Sequence, residues 1–399
     1  MRWYMNNYKM DKKYENIQRY IVKLRRDLHQ IPELGTDLPK TRAYIIKELD
    51  RLKIPYLCSK KDSGIMAAIK GEKRGRTVAL RTDMDALPLE EETGLPFASV
   101  HPGCMHACGH DAHMAILLGA ARLLNAQKKS LRGTVRLIFQ TAEEISRGSE
   151  IAISNGYLED VDAVFGLHIG SILGKEIPSG TLIFPRACCM ASFDKFVLRI
   201  RGKSCHGSTP EKGVDPVNIA AHLILSLQAI QTREISGSSA SVITIGKIQG
   251  GAQYNVIPDE VVLEGTIRAL EESVRHYVAQ RIRGMAVATA ASFGGSCDCE
   301  IIWGAPPVVN DEEMAELAAE SVSDLFEPKD IIDNFPIPNM GGEDFANYLQ
   351  IVPGAFFFLS SSNPGKGTDV PHHNPRFDVD EDVMWRGAVT FERIVMRLL

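Results

Sequence analysis

The stretch "TVALRTDMD" (residues 77–85) changes character abruptly, from an apolar core at Val78–Leu80 to the acids Asp83 and Asp85. A short apolar run that ends on acids reads as a buried strand whose carboxyl end leaves the hydrophobic layer. "GTVRLIFQTAEE" (133–144) repeats the shape and ends on Glu143 and Glu144, and "VDAVFGLHIG" (161–170) ends its apolar run on His168. Between them, "DAHMAILLGAARLLNAQ" carries Met114, Leu117, Leu118, Ala121 and Leu124 at helical spacing. Strand, helix, strand implies an α/β domain with a mixed, mostly parallel sheet covered by helices. In open α/β sheets the ligand crevice lies beyond the carboxyl ends of the strands. Asp83, Asp85, Glu143, Glu144 and His168 are therefore expected along one edge.

Further outward the pattern changes. From about Ser192, "FDKFVLRIRG", "SVITIGKIQGG", "DEVVLEGTIRAL" and "CDCEIIWG" read as strands. "DPVNIAAHLILSLQAIQ" and "EESVRHYVAQRIRGMAVATAASF" read as helices. The order βαββαβ is that of a ferredoxin-like α+β sandwich. The expected organisation is a metal-bearing domain, residues 1–191 and 305–399, interrupted by an inserted lid, residues 192–304. "AELAAESVSDLF", "GAFFFLSS" and a closing helix from Glu381 return the chain to the first domain.

Composition bounds the function. The 399 residues are 44% hydrophobic and 24% charged with a net charge of −5, so no basic surplus points to nucleic acid or an anionic membrane. No apolar run approaches the roughly 18 residues of a membrane span, and the first twenty residues lack a signal-peptide core. Eight cysteines in such a length do not form a disulfide framework, and a cytoplasmic location is expected.

The chemistry concentrates in "HPGCMHACGHDAHMA" (101–115), which crowds His101, Cys104, His106, Cys108, His110 and His113 together. Thiolate with imidazole suits borderline divalent metals. A closed structural zinc knot would need only this cluster, whereas a catalytic site would also draw on the strand ends. His106 and His113 are read as residues supporting the ligands from behind or as wall residues, and Cys104 as packing. Glu343 and Asp344 in "GGEDFA" are read equally as cleft-lining acids or as caps of a helix start.

"RTDMDALP", "HACGHDAHMA", "QTAEE", "GLHI", "GKSCHGSTPEKGVDP", "YNVIPD", "GTIR", "GGEDFA" and "HHNP" resemble, in this order, the signatures of the metal-dependent aminoacylase and carboxypeptidase superfamily. The amidohydrolase branch with hippurate hydrolase, N-acetyldiaminopimelate deacetylase and the plant auxin-conjugate hydrolases is the most similar. The resemblance spans about residues 20 to 399.

It implies Cys108, His110, Glu144, His168 and His373 as ligands of two divalent ions, with His373 a better match than His372. Manganese is favoured, with zinc and cobalt as alternatives. It implies Glu143 as general base, Asp85 as the carboxylate that orients its neighbours, and His206 as the group steadying the oxyanion. Asn255 and Arg268 match substrate-binding positions. The familiar His-x-Asp of the wider superfamily is here Asp83-Met84-Asp85, so the bridging residue is left open. The implied reaction is hydrolysis of a small N-acyl amino acid, in a homodimer formed through the lid. A dipeptidase or carboxypeptidase is the alternative enzyme, and a metal-binding protein without turnover the alternative of another class.

Overall fold

Val78–Leu80, Val164–Leu167 and Phe356–Leu359 lie in the middle of one mixed sheet of eight strands. The computed structural model describes residues 12–335 and 338–399. Among them, residues 12–187, 310–335 and 347–399 form one unit, and 188–309 with 338–346 a second.

In the first unit the strand order is Tyr56–Cys58, Ile65–Lys70, Arg132–Gln140, Lys73–Asp83, Ala163–Gly170, Gly354–Ser360, Leu182–Phe184 and Ile331–Asp333. The four strands from Arg132–Gln140 to Gly354–Ser360 run parallel. Ile65–Lys70 and Leu182–Phe184 flank them antiparallel. Every residue of Ala163–Gly170 and Gly354–Ser360 is buried, the pattern of strands covered on both faces. The helices Lys12–His29, His110–Ala126 and Met384–Leu398 pack on one another. His110–Ala126 is buried almost all round, so its apolar residues spread beyond one stripe.

A buried ionic network fixes where that helix starts. Arg25 Nε donates to Asp111 Oδ2 (2.8 Å) and Arg25 Nη2 to Asp378 (2.7 Å). His29 Nδ1 donates to the same Asp111 oxygen (2.7 Å). The N-terminal helix thereby holds the first turn that carries His110.

In the second unit the strands of the main sheet and the two long helices follow the order βαββαβ. Its strands neighbour one another as Ser241–Gly250, Glu260–Ala269, Asp194–Arg201 and Ser296–Ile302, all antiparallel. Asp215 caps the helix Pro216–Ala229 by accepting from the N–H of Val217 (2.8 Å) and Asn218 (3.2 Å). Arg275, on the helix Glu272–Ser292, forks onto buried Asp194 at 2.9 and 2.6 Å, which ties that helix to the first strand.

This unit is wider than the expected 192–304. Cys188–Met190 pairs with Val308–Val309, and Met190 bridges Asn339, so the "GGEDFA" stretch is drawn into it. Hydropathy carries no trace of such a two-residue clasp. Among the described residues no helix is long and apolar enough to cross a membrane.

Candidate metal centre

Two left-handed residues bring the donors inward. Gly109 has φ 92° between Cys108 and His110, just before the helix His110–Ala126. A Cβ there would also sit 3.3 Å from Ile169 Cγ2. Ala142 has φ 54°, and Ser146 N–H donates to Glu143 O (2.8 Å), so the chain leaves the strand Arg132–Gln140 in a turn. In extended backbone Glu143 and Glu144 would diverge. Instead Asp85 clamps both, its Oδ1 accepting Glu143 N–H (2.9 Å) and its Oδ2 accepting Glu144 N–H (3.1 Å).

The imidazoles are oriented by their rear nitrogens. His110 Nδ1 donates to Asp85 O (2.8 Å) and His168 Nδ1 to Ile169 O (3.0 Å). In both rings Nε2 then carries the lone pair, the usual posture of a ligating histidine. His168 Nε2 lies 3.5 Å from Cys108 Sγ, and His110 Nε2 lies 3.8 Å from Glu144 Oε1 and 3.9 Å from Glu143 Oε2. His373 Nε2 is 3.4 Å from Glu144 Oε2.

Four overlapping groups of the first unit therefore have donor atoms within 4.8 Å of one another: Cys108 with Glu144 and His373, Cys108 with His168 and His372, His110 with Glu143 and Glu144, and Asp83 with His110 and His113. All five residues implied as ligands thus fall in one linked cluster with Glu143, and His372 joins them.

The electrostatics describe a site built around positive charge. Burial, with Glu144, Glu143 and Asp83 nearby, holds the Cys108 thiol well above its usual range. Burial, reinforced by Glu144 and Asp83, pushes Asp85 up to about 7. Burial pulls His168 down, so that its ring is neutral. Glu144 Oε1 is buried without a hydrogen-bond partner. A divalent cation reverses this balance, because a coordinating thiol loses its proton and the crowded carboxylates gain a counter-charge. Neutral imidazoles, a buried thiol and partnerless carboxylate oxygen fit such an ion.

Two further histidines of the cluster, His113 and His101, have partners of their own. His113 Nδ1 donates to Asp83 Oδ1 (2.7 Å) and its Nε2 accepts Ile169 N–H (2.9 Å), so both nitrogens are used in bracing two strand ends. Arg81 in turn holds Asp83 (2.8 Å) and Gln140 (3.0 Å). His101 Nδ1 donates to Pro32 O (2.8 Å). Glu343 Oε1 accepts Phe345 N–H (2.8 Å), a capping contact inside the second unit. The partners of the His113 brace and the approach of His372 to Cys108 were not signalled by spacing, since both depend on contacts between distant segments.

His206, Asn255 and Arg268 belong to the second unit. Cys205–His206 pairs with Val256–Ile257, and Gly207 N–H donates to Asn255 O (2.8 Å), so His206 and Asn255 share one short ribbon. His206 is exposed, and its Nδ1 accepts Ser208 N–H at 3.1 Å. Its proton accordingly resides on Nε2. Arg268 is half-buried with its guanidinium 5.3 Å from the Phe193 ring centroid.

A thiol, imidazoles and paired carboxylates gathered at the carboxyl ends of parallel strands define a metal-dependent hydrolase of α/β architecture. Residues 79–397 match the Peptidase family M20/M25/M40. The chain belongs to that family. It is 40% identical to N-acetyl-L-cysteine deacetylase of Bacillus subtilis over 96% of this chain and 89% of that protein. It is 36% identical to thermostable carboxypeptidase 1 of Saccharolobus solfataricus, covering 96% of each. The crystal structure of the Bacillus subtilis YXEP protein, described as a dinuclear metal binding peptidase, superposes with a TM-score of 0.82 at 34% identity, over 96% of this chain and 99% of that one.

Proposed function

We propose that the protein hydrolyses the amide bond of N-acyl-L-amino acids, releasing a carboxylic acid and the free amino acid. The observation that carries this reading is the Asp85 clamp, which presents two adjacent carboxylates to the donor cluster through a single turn. One carboxylate serves as ligand while the other stays available for proton transfer, as the chemistry requires. The relative named as an N-acetyl-L-cysteine deacetylase supports the substrate class.

Cys108, His110, Glu144, His168 and His373 would hold two divalent ions, manganese by preference and zinc or cobalt otherwise. When bound, such ions polarise the scissile carbonyl and acidify water. Glu143 takes the proton of the attacking water and returns it to the leaving nitrogen. His206, protonated on Nε2, donates to the carbonyl oxygen as negative charge develops there. Arg268, with its planar fork, and Asn255 bind the substrate carboxylate.

The second unit, in this reading, acts as a lid that excludes water. It also joins two copies through its edge strand Ser241–Gly250, whose last five residues are exposed. Eight free thiols support a reducing, cytoplasmic setting.

The deciding experiment measures release of free amine from N-acetyl, N-benzoyl and longer N-acyl amino acids, with unblocked dipeptides alongside. It uses chelated protein before and after manganese or zinc is restored. Metal-dependent cleavage of the acylated amino acids alone upholds the proposal. Cleavage of dipeptides alone moves the assignment to a peptidase, as the carboxypeptidase relative would suggest. No cleavage with any metal leaves a binding protein.

A further inference from the structure

Two adjacent imidazoles reach one thiol. Cys108 shares a 4.8 Å donor group with Glu144 and His373, and a second one with His168 and His372. The family resemblance assigns only His373, which leaves His372 without a role.

The backbone is set up to use both rings. Neighbouring side chains normally diverge, but His373 has φ 61°, and its N–H donates to Ala107 O (2.9 Å), which pins the pair beside Cys108. The His372 ring packs between Phe377 and His168, at centroid distances of 4.6 and 4.9 Å. Glycine at residue 170 leaves room for the ring in this position. Gly170 has φ 138°, and a Cβ there would lie 2.1 Å from His372 Nε2.

So placed, His372 directs Nδ1 at Cys108 Sγ, 3.8 Å away, and its Nε2 is buried with no hydrogen-bond partner. Buried polar atoms in native proteins are as a rule satisfied. Within the protein the ring's polar contacts are to the thiol and the backbone of Cys108. Its donor nitrogen, Cys108 Sγ and a His168 ring nitrogen all lie within 4.8 Å of one another, close enough to share one cation.

We propose that His372 is a metal donor in its own right and that the histidine pair is divided between two ions. His372 serves one ion with Cys108 and His168, and His373 serves the other with Cys108 and Glu144. The inference rests on the two-metal reading above and adds a ligand to it. Thiolate and two imidazoles make the first position the softer one, suited to zinc or cobalt.

The test strips the full-length chain of metal and titrates it with Zn2+ against a chromophoric chelator, for the wild type, His372→Leu and His373→Leu. The wild type is expected to hold two ions. Each variant should keep one ion at wild-type affinity and weaken the other by more than the 10- to 100-fold that loss of a hydrogen-bonded neighbour costs. His372→Leu with both ions bound as in the wild type would overturn the proposal. A smaller loss would also overturn it, since His372 would then merely position Cys108.

A crystal structure of the zinc-loaded wild type decides independently of how the variants fold. His372 Nδ1 at about 2.0–2.1 Å from an ion upholds the assignment, and a gap beyond about 3 Å rejects it. A wild-type chain that binds fewer than two ions fails the two-metal reading itself, a result separable from failure of His372 alone.

Discussion

Glu143 and Glu144 are identical in chemistry and separated by one peptide bond, yet their surroundings differ. Glu144 lies against His110 and His373, and although burial pushes its carboxyl up, those two rings hold it below the usual range. Glu143 has its backbone fixed by Asp85 and its carboxylate 3.9 Å from His110 Nε2. Removing the proposed base while keeping the clamp should therefore separate proton transfer from metal binding. Glu143→Gln is expected to lower kcat by about 10²- to 10⁴-fold while the bound-metal count stays at the wild-type value. Steady-state kinetics and elemental analysis on one sample check both halves. Equal loss of metal and turnover would make Glu143 a ligand instead.

At the scale of elements, the helix His110–Ala126 is positioned from both ends of its first turn. Gly109 supplies the left-handed residue before it, a conformation costing about 1–2 kcal/mol for a residue with a Cβ. Gly109→Ala should lower stability by roughly that amount, read from urea denaturation of the metal-free protein, with added strain from the 3.3 Å approach to Ile169.

The helix is also held by Asp111. Burial pushes its carboxyl up, but Arg25 and His29 outweigh this and keep it well below the usual range. Burial and Arg25 draw the His29 pKa down, while Asp111 and a hydrogen bond to Glu91 more than restore it, so His29 titrates above its ordinary value. A raised histidine stabilises the fold fully below its unfolded pKa of about 6.5 and ceases to as pH rises through the folded value. The gap in thermal midpoint between wild type and His29→Gln, measured in chelator, should be widest below about pH 6.5 and narrow above it. A gap that is flat across this range would remove the ion pair from the account.

Taken as a whole molecule, the proposed metal centre would be a long-range cross-link. The donors proposed for it, residues 108, 110, 144, 168 and 373, are delivered by four separate segments of the first unit. An unfolded chain cannot assemble them, so binding is coupled to folding. Free metal at one hundred times its dissociation constant should stabilise the protein by about 2.7 kcal/mol per site. Differential scanning fluorimetry should show the midpoint fall with chelator and recover with Mn2+ or Zn2+. A midpoint indifferent to metal would mean that these donors do not bind in the folded state.

The division between sequence and structure follows from the range of the forces involved. Local pattern determined the buried parallel strands, the helix behind the cysteine-histidine cluster, and the βαββαβ order of the second unit, because apolar periodicity and turn residues act over a few positions. It also placed acids and histidines at strand ends, from which a metal site follows by topology. Short edge strands such as Tyr56–Cys58 and Ile331–Asp333 escaped, since three residues carry no period. The Cys188–Met190 clasp and the Arg25–Asp111–His29 network escaped for a different reason, as each joins residues distant along the chain.

What only the tertiary structure decided is how side chains are aimed. Asp85 turning two adjacent glutamates inward, His113 spending both nitrogens on bracing, and Gly170 opening a slot for His372 all depend on backbone φ angles and through-space contacts. A linear pattern can show which donors are present, but their direction is set by packing.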